Sequence, residues 1–129
     1  MRQRQFILEP DIDYPLYVTA KQFWHAEFEA NWDDPEAFTA IFLHSTSFHK
    51  ETWEPTLRHL FDDIQKCRDR SIAPKVKSAW VIECPNHGES ATLNHRALQR
   101  PPFYRNCRHN QIALLFGMLT TGSAIYSWL

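Results

Sequence analysis

Two short apolar runs, separated by a segment with the periodicity of one helix, dominate the pattern of hydrophobic and polar positions along the chain. Phe38–Leu43 is apolar apart from Thr39, and residues 79–82 form a second compact run. Runs of this length are typical of strands buried on both faces of a sheet. Upstream, apolar and polar side chains partly alternate over residues 16–28, which predicts one or two antiparallel strands at the sheet edge. Residues 1–15 carry charges and two prolines and are predicted to form a loosely packed lead-in.

The segment between the two runs has the periodicity of an amphipathic helix. Thr52 is predicted to cap its first turn, and Pro55 falls where a missing N–H costs little. The helix is predicted to end near residues 67–70. A strand, a helix and a strand in this order form a βαβ unit, so the two strands are predicted to be parallel neighbours joined by a right-handed crossover. The apolar face of the helix is formed by Trp53, Leu57, Leu60, Phe61 and Ile64.

Polar loops follow both predicted parallel strands. Residues 44–50 come after the first strand, and residues 85–88 turn the chain after the second, with Gly88 able to adopt a positive φ. In open α/β sheets, ligands bind at the carboxyl ends of the strands, so both loops are predicted to lie at the functional edge. Backbone N–H groups of the first loop are suited to stabilise an oxyanion, an interaction worth about 3–4 kcal/mol per donor in acyl transfer. Ordinary strand-to-helix connections are the alternative interpretation.

The order of these elements and the sequences of the two loops resemble the N-terminal part of the α/β-hydrolase superfamily. Residues 44–55 (HSTSFHKETWEP) match its His-Gly-x-Gly-like loop and Trp-containing helix, and residues 83–90 (ECPNHGES) match its Asp-x-Pro-x-His-Gly-x-Ser segment. The resemblance covers residues 16–98 and is closest to a fungal subgroup of toxin-biosynthesis and peroxisomal lipase-like hydrolases. It implies a partial α/β-hydrolase sheet, with antiparallel edge strands before a parallel βαβ unit. It also implies hydrolysis of a small-molecule acyl or ester substrate by a serine nucleophile, in the cytoplasm or a peroxisome.

The predicted oxyanion loop departs from the family pattern. The resemblance implies that the N–H of Thr46 is the oxyanion donor. Ser45 stands where the family usually has glycine, and Ser47 where it often has glycine or proline, so side chains crowd the approach to the backbone. Ser45 and Thr46 are therefore the candidate site residues, in a degenerate oxyanion loop. By the same resemblance, His44 and His87 organise the loops rather than act as the catalytic base.

The remaining catalytic residues of the family are not found. A hydrolase of this type needs a nucleophile within Gly-x-Ser-x-Gly, then an acid and a histidine, and the resemblance ends before them. Ser90 is a partial match, but Thr92 replaces the second glycine, and Ser90 is better interpreted as a helix N-cap. Glu83 stands where the family usually has aspartate. The chain is therefore predicted to be a truncated hydrolase, inactive alone, with residues 1–98 the hydrolase part and residues 99–129 a divergent tail.

The divergent tail supports an alternative function. Residues 112–129 contain no charged residue and follow a basic segment broken by prolines. This length just reaches the lower limit for crossing a bilayer, but small polar residues dilute the stretch. A helical segment from about residue 110 that packs on the sheet is therefore favoured over a membrane anchor. A noncatalytic binding module, or a membrane-tethered one, is the alternative to a hydrolase fragment.

Charge and cysteine content narrow the function further. The formal net charge is −1, and no basic stripe with interleaved aromatics occurs, so nucleic acid is not a predicted partner. The three cysteines form no CxxC pair, which favours reduced thiols and an intracellular location. Cys84 and His87 form a CxxH pair near His44 and His49, but structural zinc sites usually show two such clusters. No metal site and no cofactor are therefore predicted, and the sequence assigns no oligomeric state.

Overall fold

The computed structural model describes residues 1–12, 14–67 and 74–100, and the chain divides into two compact units, Met1–Asn94 and His95–Leu129. The described residues of the second unit contain one short helix, His95–Leu98. No helix within the described ranges is long and apolar enough to cross a membrane, and the helix predicted from about residue 110 lies outside them. The elements in chain order are β1 (Arg2–Leu8), β2 (Val18–Trp24), a 3₁₀ helix (Ala26–Asn31), β3 (Phe38–Leu43), a 3₁₀ turn (Lys50–Trp53), α1 (Glu54–Lys66), β4 (Val76–Ile82), α2 (Gly88–Leu93) and α3 (His95–Leu98).

The strands of the first unit form one mixed sheet in the order β1-β2-β4-β3. β1 pairs antiparallel with β2, and β2 pairs antiparallel with β4. β3 pairs parallel with β4, and α1 connects these two strands along the chain. The predicted α/β architecture, in which antiparallel strands precede a parallel βαβ unit, is therefore confirmed in strand direction. The prediction that the strand within residues 16–28 lies at the sheet edge is wrong, because β2 lies between β1 and β4.

The N-terminal segment is a strand, so the prediction of a loosely packed lead-in is wrong. β1 pairs with β2 along its whole length, from Arg2 opposite Trp24 to Leu8 opposite Val18. Most of its side chains are exposed, although the ring of Phe6 lies 4.7 Å from that of Trp80. The strand therefore depends on backbone hydrogen bonding more than on burial, and an apolar pattern could not reveal it.

Helix α1 has the predicted position but a different beginning. It ends at Lys66 with Cys67 as its C-cap, and Pro55 lies in its first turn, as predicted. The predicted cap by Thr52 is wrong, because Trp53 is the N-cap residue and makes no side-chain cap hydrogen bond. Thr52 instead lies inside the preceding 3₁₀ turn, where its N–H donates to the carbonyl of His49 at 3.1 Å.

The core lies between α1 and one face of the sheet. The rings of Phe28 and Phe61 meet edge to face with 5.1 Å between centroids, an arrangement that aromatic pairs favour. Trp53 packs on Phe42 and donates its indole N–H to the carbonyl of Leu43 at 3.0 Å, which fixes the end of β3. The buried cluster consists of Phe23, Phe28, Leu57, Phe61, Val76, Ala79 and Val81.

β3 is an edge strand, which corrects the prediction that both of its faces are buried. Among the described strands it pairs with β4 alone. Phe38 is 48% exposed and Leu43 is 44% exposed, while the residues between them are half-buried. An apolar run therefore marked the strand correctly but not its place in the sheet.

Candidate functional site

The loops that follow β3 and β4 lie side by side and are joined by reciprocal hydrogen bonds. The N–H of Cys84 donates to Nε2 of His44 at 3.0 Å, and the N–H of Ser47 donates to Nε2 of His87 at 3.2 Å. The two imidazole rings lie 4.8 Å apart. Each loop therefore gives a backbone donor to a histidine of the other, which matches the organising role predicted for both histidines.

The hydrogen bonds also fix the protonation of both rings. Nδ1 of His44 lies 2.9 Å from the carbonyl oxygen of Ser45, and Nδ1 of His87 lies 2.8 Å from Oδ1 of Asn86. Both partners are acceptors, so each Nδ1 carries the proton and each Nε2 offers its lone pair. Burial, with repulsion from the neighbouring histidines His44 and His49, holds the pKa of His87 below its ordinary value. His87 is therefore neutral and able to accept from the loop at neutral pH.

The candidate oxyanion residues lie at the exposed tip of the first loop. The side chains of Ser45, Thr46 and Ser47 are all exposed. The N–H of Phe48 donates to the carbonyl of Ser45 at 3.1 Å, and that of Ser47 is held by His87. None of the residues that the structure describes accepts a hydrogen bond from the N–H of Thr46. The predicted oxyanion donor Thr46, like its neighbour Ser45, thus has an N–H without an acceptor among the described residues.

Ser47 adopts a left-handed backbone conformation, with φ of 70°. Such a conformation is strained for a residue with a Cβ and is readily adopted by glycine. The loop therefore stores backbone strain at Ser47 that a glycine at this position would not have.

A buried carboxylate lies beneath the loops. Glu83 is 1% exposed and Lys50 is 2% exposed. Oε2 of Glu83 accepts from the Lys50 ammonium at 2.9 Å and from the Thr19 hydroxyl at 3.0 Å. The same oxygen accepts from the N–H groups of Glu89 at 2.9 Å and Ser90 at 3.3 Å, at the beginning of α2. One carboxylate therefore joins β2, the 3₁₀ turn and α2 through charge-assisted hydrogen bonds.

Lys50 and Glu83 stabilise each other's charged forms. The Lys50 ammonium also lies 3.3 Å from Glu51 and 3.2 Å from Glu89. Burial disfavours the ammonium, but the hydrogen bond and charge of Glu83 reverse this effect and hold the pKa of Lys50 above its ordinary value. Burial likewise disfavours the carboxylate, but Lys50 and Thr19 hold the pKa of Glu83 below its ordinary value. Both groups are therefore charged across the neutral range.

Gly88 makes this arrangement possible. Its φ is 47°, the positive value predicted for this turn. A Cβ at this position would lie 2.3 Å from Oε1 of Glu83, closer than real Cβ atoms approach other atoms. The glycine thus provides both the backbone conformation and the space that the buried carboxylate occupies.

Ser90 is buried and hydrogen-bonded within the fold, but the prediction that it is the N-cap of a helix is wrong. His87 is the N-cap residue of α2, and Ser90 lies inside the helix. Its side chain is fully buried, and its hydroxyl accepts from the N–H of Thr19 at 2.9 Å and lies 2.9 Å from the Thr19 hydroxyl. Glu83 takes over the capping role, since its carboxylate accepts from the first turn of α2. Ser90 is therefore not presented to a substrate as a nucleophile on an elbow would be.

Sequence analysis missed the buried polar residues that hold this region. The sequence places Lys50 at the end of a polar loop and Thr19 in an alternating segment, and neither pattern predicts a buried polar side chain. Asn94 is also buried, with Oδ1 accepting from the N–H of Tyr17 at 2.8 Å and Nδ2 donating to the carbonyl of Tyr17 at 2.7 Å. These partners are distant along the chain, so no local pattern could pair them.

The structure brings together three possible metal ligands. His44, Cys84 and His87 each offer one ligand atom, and these atoms lie within 4.8 Å of one another. His49 is not a member of this group. Its Nδ1 lies 3.7 Å from Oε1 of Glu83 instead.

Comparisons with family models, with curated proteins and with solved structures return no match to this chain. The function is therefore argued from these contacts alone.

Proposed function

We propose that residues 1–94 form the oxyanion-loop part of an α/β-hydrolase that acts on acyl or ester carbonyls. In this proposal, residues 45–47 approach the carbonyl oxygen, and the Thr46 N–H donates to the oxyanion that forms on it. The nucleophile of the reaction comes from outside this unit. Residues 1–94 therefore stabilise the charge on the oxyanion but form no covalent bond to the substrate.

The observation that carries the proposal is the joining of the two loops across the carboxyl ends of β3 and β4. Parallel neighbours end at the same edge of a sheet, where ligands bind in open α/β folds. His44 and His87 then hold the first loop from both sides, through the N–H groups of Cys84 and Ser47. This fixes the loop while the Thr46 N–H makes no hydrogen bond to any residue of the described ranges. A fixed donor without a competing acceptor is what oxyanion stabilisation requires.

The order of elements supports the same class of protein. The resemblance implies antiparallel edge strands followed by a parallel βαβ unit, and the sheet order β1-β2-β4-β3 has this arrangement. The two loop sequences that carry the resemblance are the two that meet in space. The resemblance rests on the loop sequences and on the order of elements along the chain but not on strand pairing, so the pairing adds support of its own.

The noncatalytic part of the proposal is supported by the environment of Ser90. Its hydroxyl is fully buried and engaged with Thr19. A nucleophile needs an exposed hydroxyl and a nearby base, and the two site imidazoles are already committed to backbone donors of the loops. The described residues thus support a loop that stabilises charge and not a complete triad.

The oxyanion role is tested by amide NMR on the full chain. Phenylphosphonate carries anionic oxygens on a tetrahedral centre and stands in for the intermediate of acyl transfer. Titration should move the Thr46 amide resonance saturably and leave the Ser47 resonance nearly unchanged, because the Ser47 N–H is already held by His87. Ser45→Gly should increase the affinity by opening the approach to the backbone. Shifts that concentrate outside residues 44–48, or that do not saturate, would refute the assigned donor.

The absence of a nucleophile is tested separately with short-chain nitrophenyl esters. The purified chain should release nitrophenol no faster than buffer alone. Turnover above buffer would contradict the noncatalytic role, and Ser90→Ala would then show whether Ser90 is its source. The two experiments are independent, because anion binding at Thr46 does not require a nucleophile.

A further inference from the structure

The cluster of His44, Cys84 and His87 goes beyond the proposed oxyanion role. His44 follows β3, while Cys84 and His87 lie in the turn after β4, where the N–H of His87 donates to the carbonyl of Cys84 at 2.9 Å. His44 is buried, and the other two residues are half-buried. A thiol and two imidazoles are thus brought together from two loops.

The orientation of the two rings is that of metal-binding histidines. Metal-bound imidazoles usually donate their second ring N–H to an oxygen that fixes the ring. Nδ1 of His44 has such an oxygen in the carbonyl of Ser45 at 2.9 Å, and Nδ1 of His87 has Oδ1 of Asn86 at 2.8 Å. This leaves Nε2 of each ring as the ligand atom, and both Nε2 atoms point across the junction of the two loops.

We propose that His44, Cys84 and His87 bind a zinc ion, with Nε2 of each histidine and the thiolate of Cys84 as ligands. Thiolate and imidazole are the ligands that zinc prefers, and three protein ligands leave a fourth tetrahedral position for water or an added ligand. Glu83, the nearest buried carboxylate, does not compete, since Lys50 already binds it. The zinc site does not require a hydrolase, but it uses the Nε2 atoms that otherwise accept from Ser47 and Cys84, so the zinc-bound state and the present oxyanion loop are alternative states of these residues.

Binding requires a small closure of the two loops. Ligands at zinc–nitrogen and zinc–sulfur bond lengths lie about 3.3–3.7 Å from one another in a tetrahedron. At present one ring nitrogen of each histidine and the sulfur of Cys84 lie within 4.8 Å of one another, so the loops must approach by roughly 1 Å or more. The Cys84 thiol releases its proton on binding. Zinc also replaces the N–H groups of Ser47 and Cys84 at the two Nε2 atoms, so the loop backbone reports on metal binding.

The experiment is a cobalt titration of the reduced, metal-free full chain at neutral pH. The expected result is one cobalt ion per chain, a thiolate-to-cobalt charge-transfer band in the near ultraviolet, and loss of this band when zinc is added. Cys84→Ser should abolish the band and weaken zinc binding by more than about tenfold. Cys67→Ser is the matched control, a half-buried cysteine at the end of α1, and should change neither measurement.

A second measurement guards against a general loss of structure. Zinc should shift the Ser47 and Cys84 amide resonances in the original chain, and the shift should be absent in a Cys84→Ser chain that retains its dispersed spectrum. The proposal is overturned if Cys84→Ser binds zinc as tightly as the original chain. It is equally overturned if Cys67→Ser removes the charge-transfer band, or if binding does not saturate near one ion per chain.

Discussion

Replacing Gly88 by alanine should destabilise the fold through the buried carboxylate of Glu83. The added Cβ would lie 2.3 Å from Oε1, 2.6 Å from Cδ and 2.8 Å from Oε2 of Glu83, so the carboxylate must retreat by roughly 1 Å. Losing one of its charge-assisted hydrogen bonds costs about 1.5–3 kcal/mol. The positive φ of 47° adds roughly 1–2 kcal/mol for a residue with a Cβ. The free energy of unfolding should therefore fall by about 2.5–5 kcal/mol.

Urea unfolding followed by tryptophan fluorescence measures this loss. A decrease of this size is a large part of the roughly 5–15 kcal/mol typical of a small domain and shifts the midpoint by on the order of 2 M. Gly88→Asn separates the two causes, because asparagine tolerates a positive φ but carries the same Cβ. It should recover about 1 kcal/mol and no more.

A double-mutant cycle tests the contact itself. Glu83→Asp shortens the carboxylate side chain by one methylene and makes room for the alanine methyl group. In that background, Gly88→Ala should cost less by about 0.5–3 kcal/mol, the range of coupling between touching residues. The reasoning is refuted if Gly88→Ala costs less than about 1 kcal/mol, or if its cost is the same in both backgrounds.

Four further predictions follow from strain, charge and packing, each measured by urea unfolding. Ser47→Gly should stabilise the chain by about 1 kcal/mol, because φ is 70° there, and no gain would mean that the conformation is unstrained. Glu83→Gln should cost about 3–5 kcal/mol by leaving the Lys50 ammonium buried without a carboxylate, and adding Lys50→Met should recover part of the loss. The pKa of Glu83 is lowered by folding and that of Lys50 is raised. Stability should therefore be lost as pH falls from about 4.3 through the folded pKa of Glu83, and lost as pH rises from about 10.4 through that of Lys50. The control is Glu83→Gln/Lys50→Met, in which both losses should be smaller but not absent, because folding also shifts the pKa values of Lys21 and Glu51; equal losses would contradict the assignment. Phe61→Ala should cost about 3–5 kcal/mol. Leu60→Ala should cost far less, because Leu60, although it was predicted on the apolar face, is exposed in the structure; equal losses would contradict this helix face.

The central part of the fold was predictable because its signals are local. The apolar run Phe38–Leu43 has the bounds of β3 in the structure. The helical spacing marks α1, but the helix is capped by Trp53 and not Thr52, and it ends at Lys66, just before the predicted residues 67–70. β1 was not predictable, because its pairing with β2 is remote and its side chains are mostly exposed. The exposure of β3 likewise depends on which strands lie beside it, and an apolar run carries no such information.

The position of the candidate site was predictable from the sequence, but the buried polar contacts that hold its loops were not. The two loops were expected at one edge of the sheet, and His44 and His87 do join them there. The buried pair of Lys50 and Glu83 was missed, because its members are 33 residues apart and a lysine in a loop is ordinarily solvated. The role of Glu83 as the cap of α2 also displaced the cap expected from Ser90. Burial of a charge is decided by the partner that folding brings to it, and a single sequence does not name that partner.

The position of Glu83 between three elements has a consequence for how the chain opens. α2 has six residues, far below the length of about 12–15 at which an isolated helix becomes marginally stable in water. Its first turn is held by a carboxylate that also neutralises Lys50, so fraying of α2 leaves that carboxylate with unmet acceptor sites beside a buried cation. This short helix is thereby tied to the unfolding of β2 and the 3₁₀ turn. Its amides should exchange with solvent in a single cooperative step with those elements, and not as a frayed end.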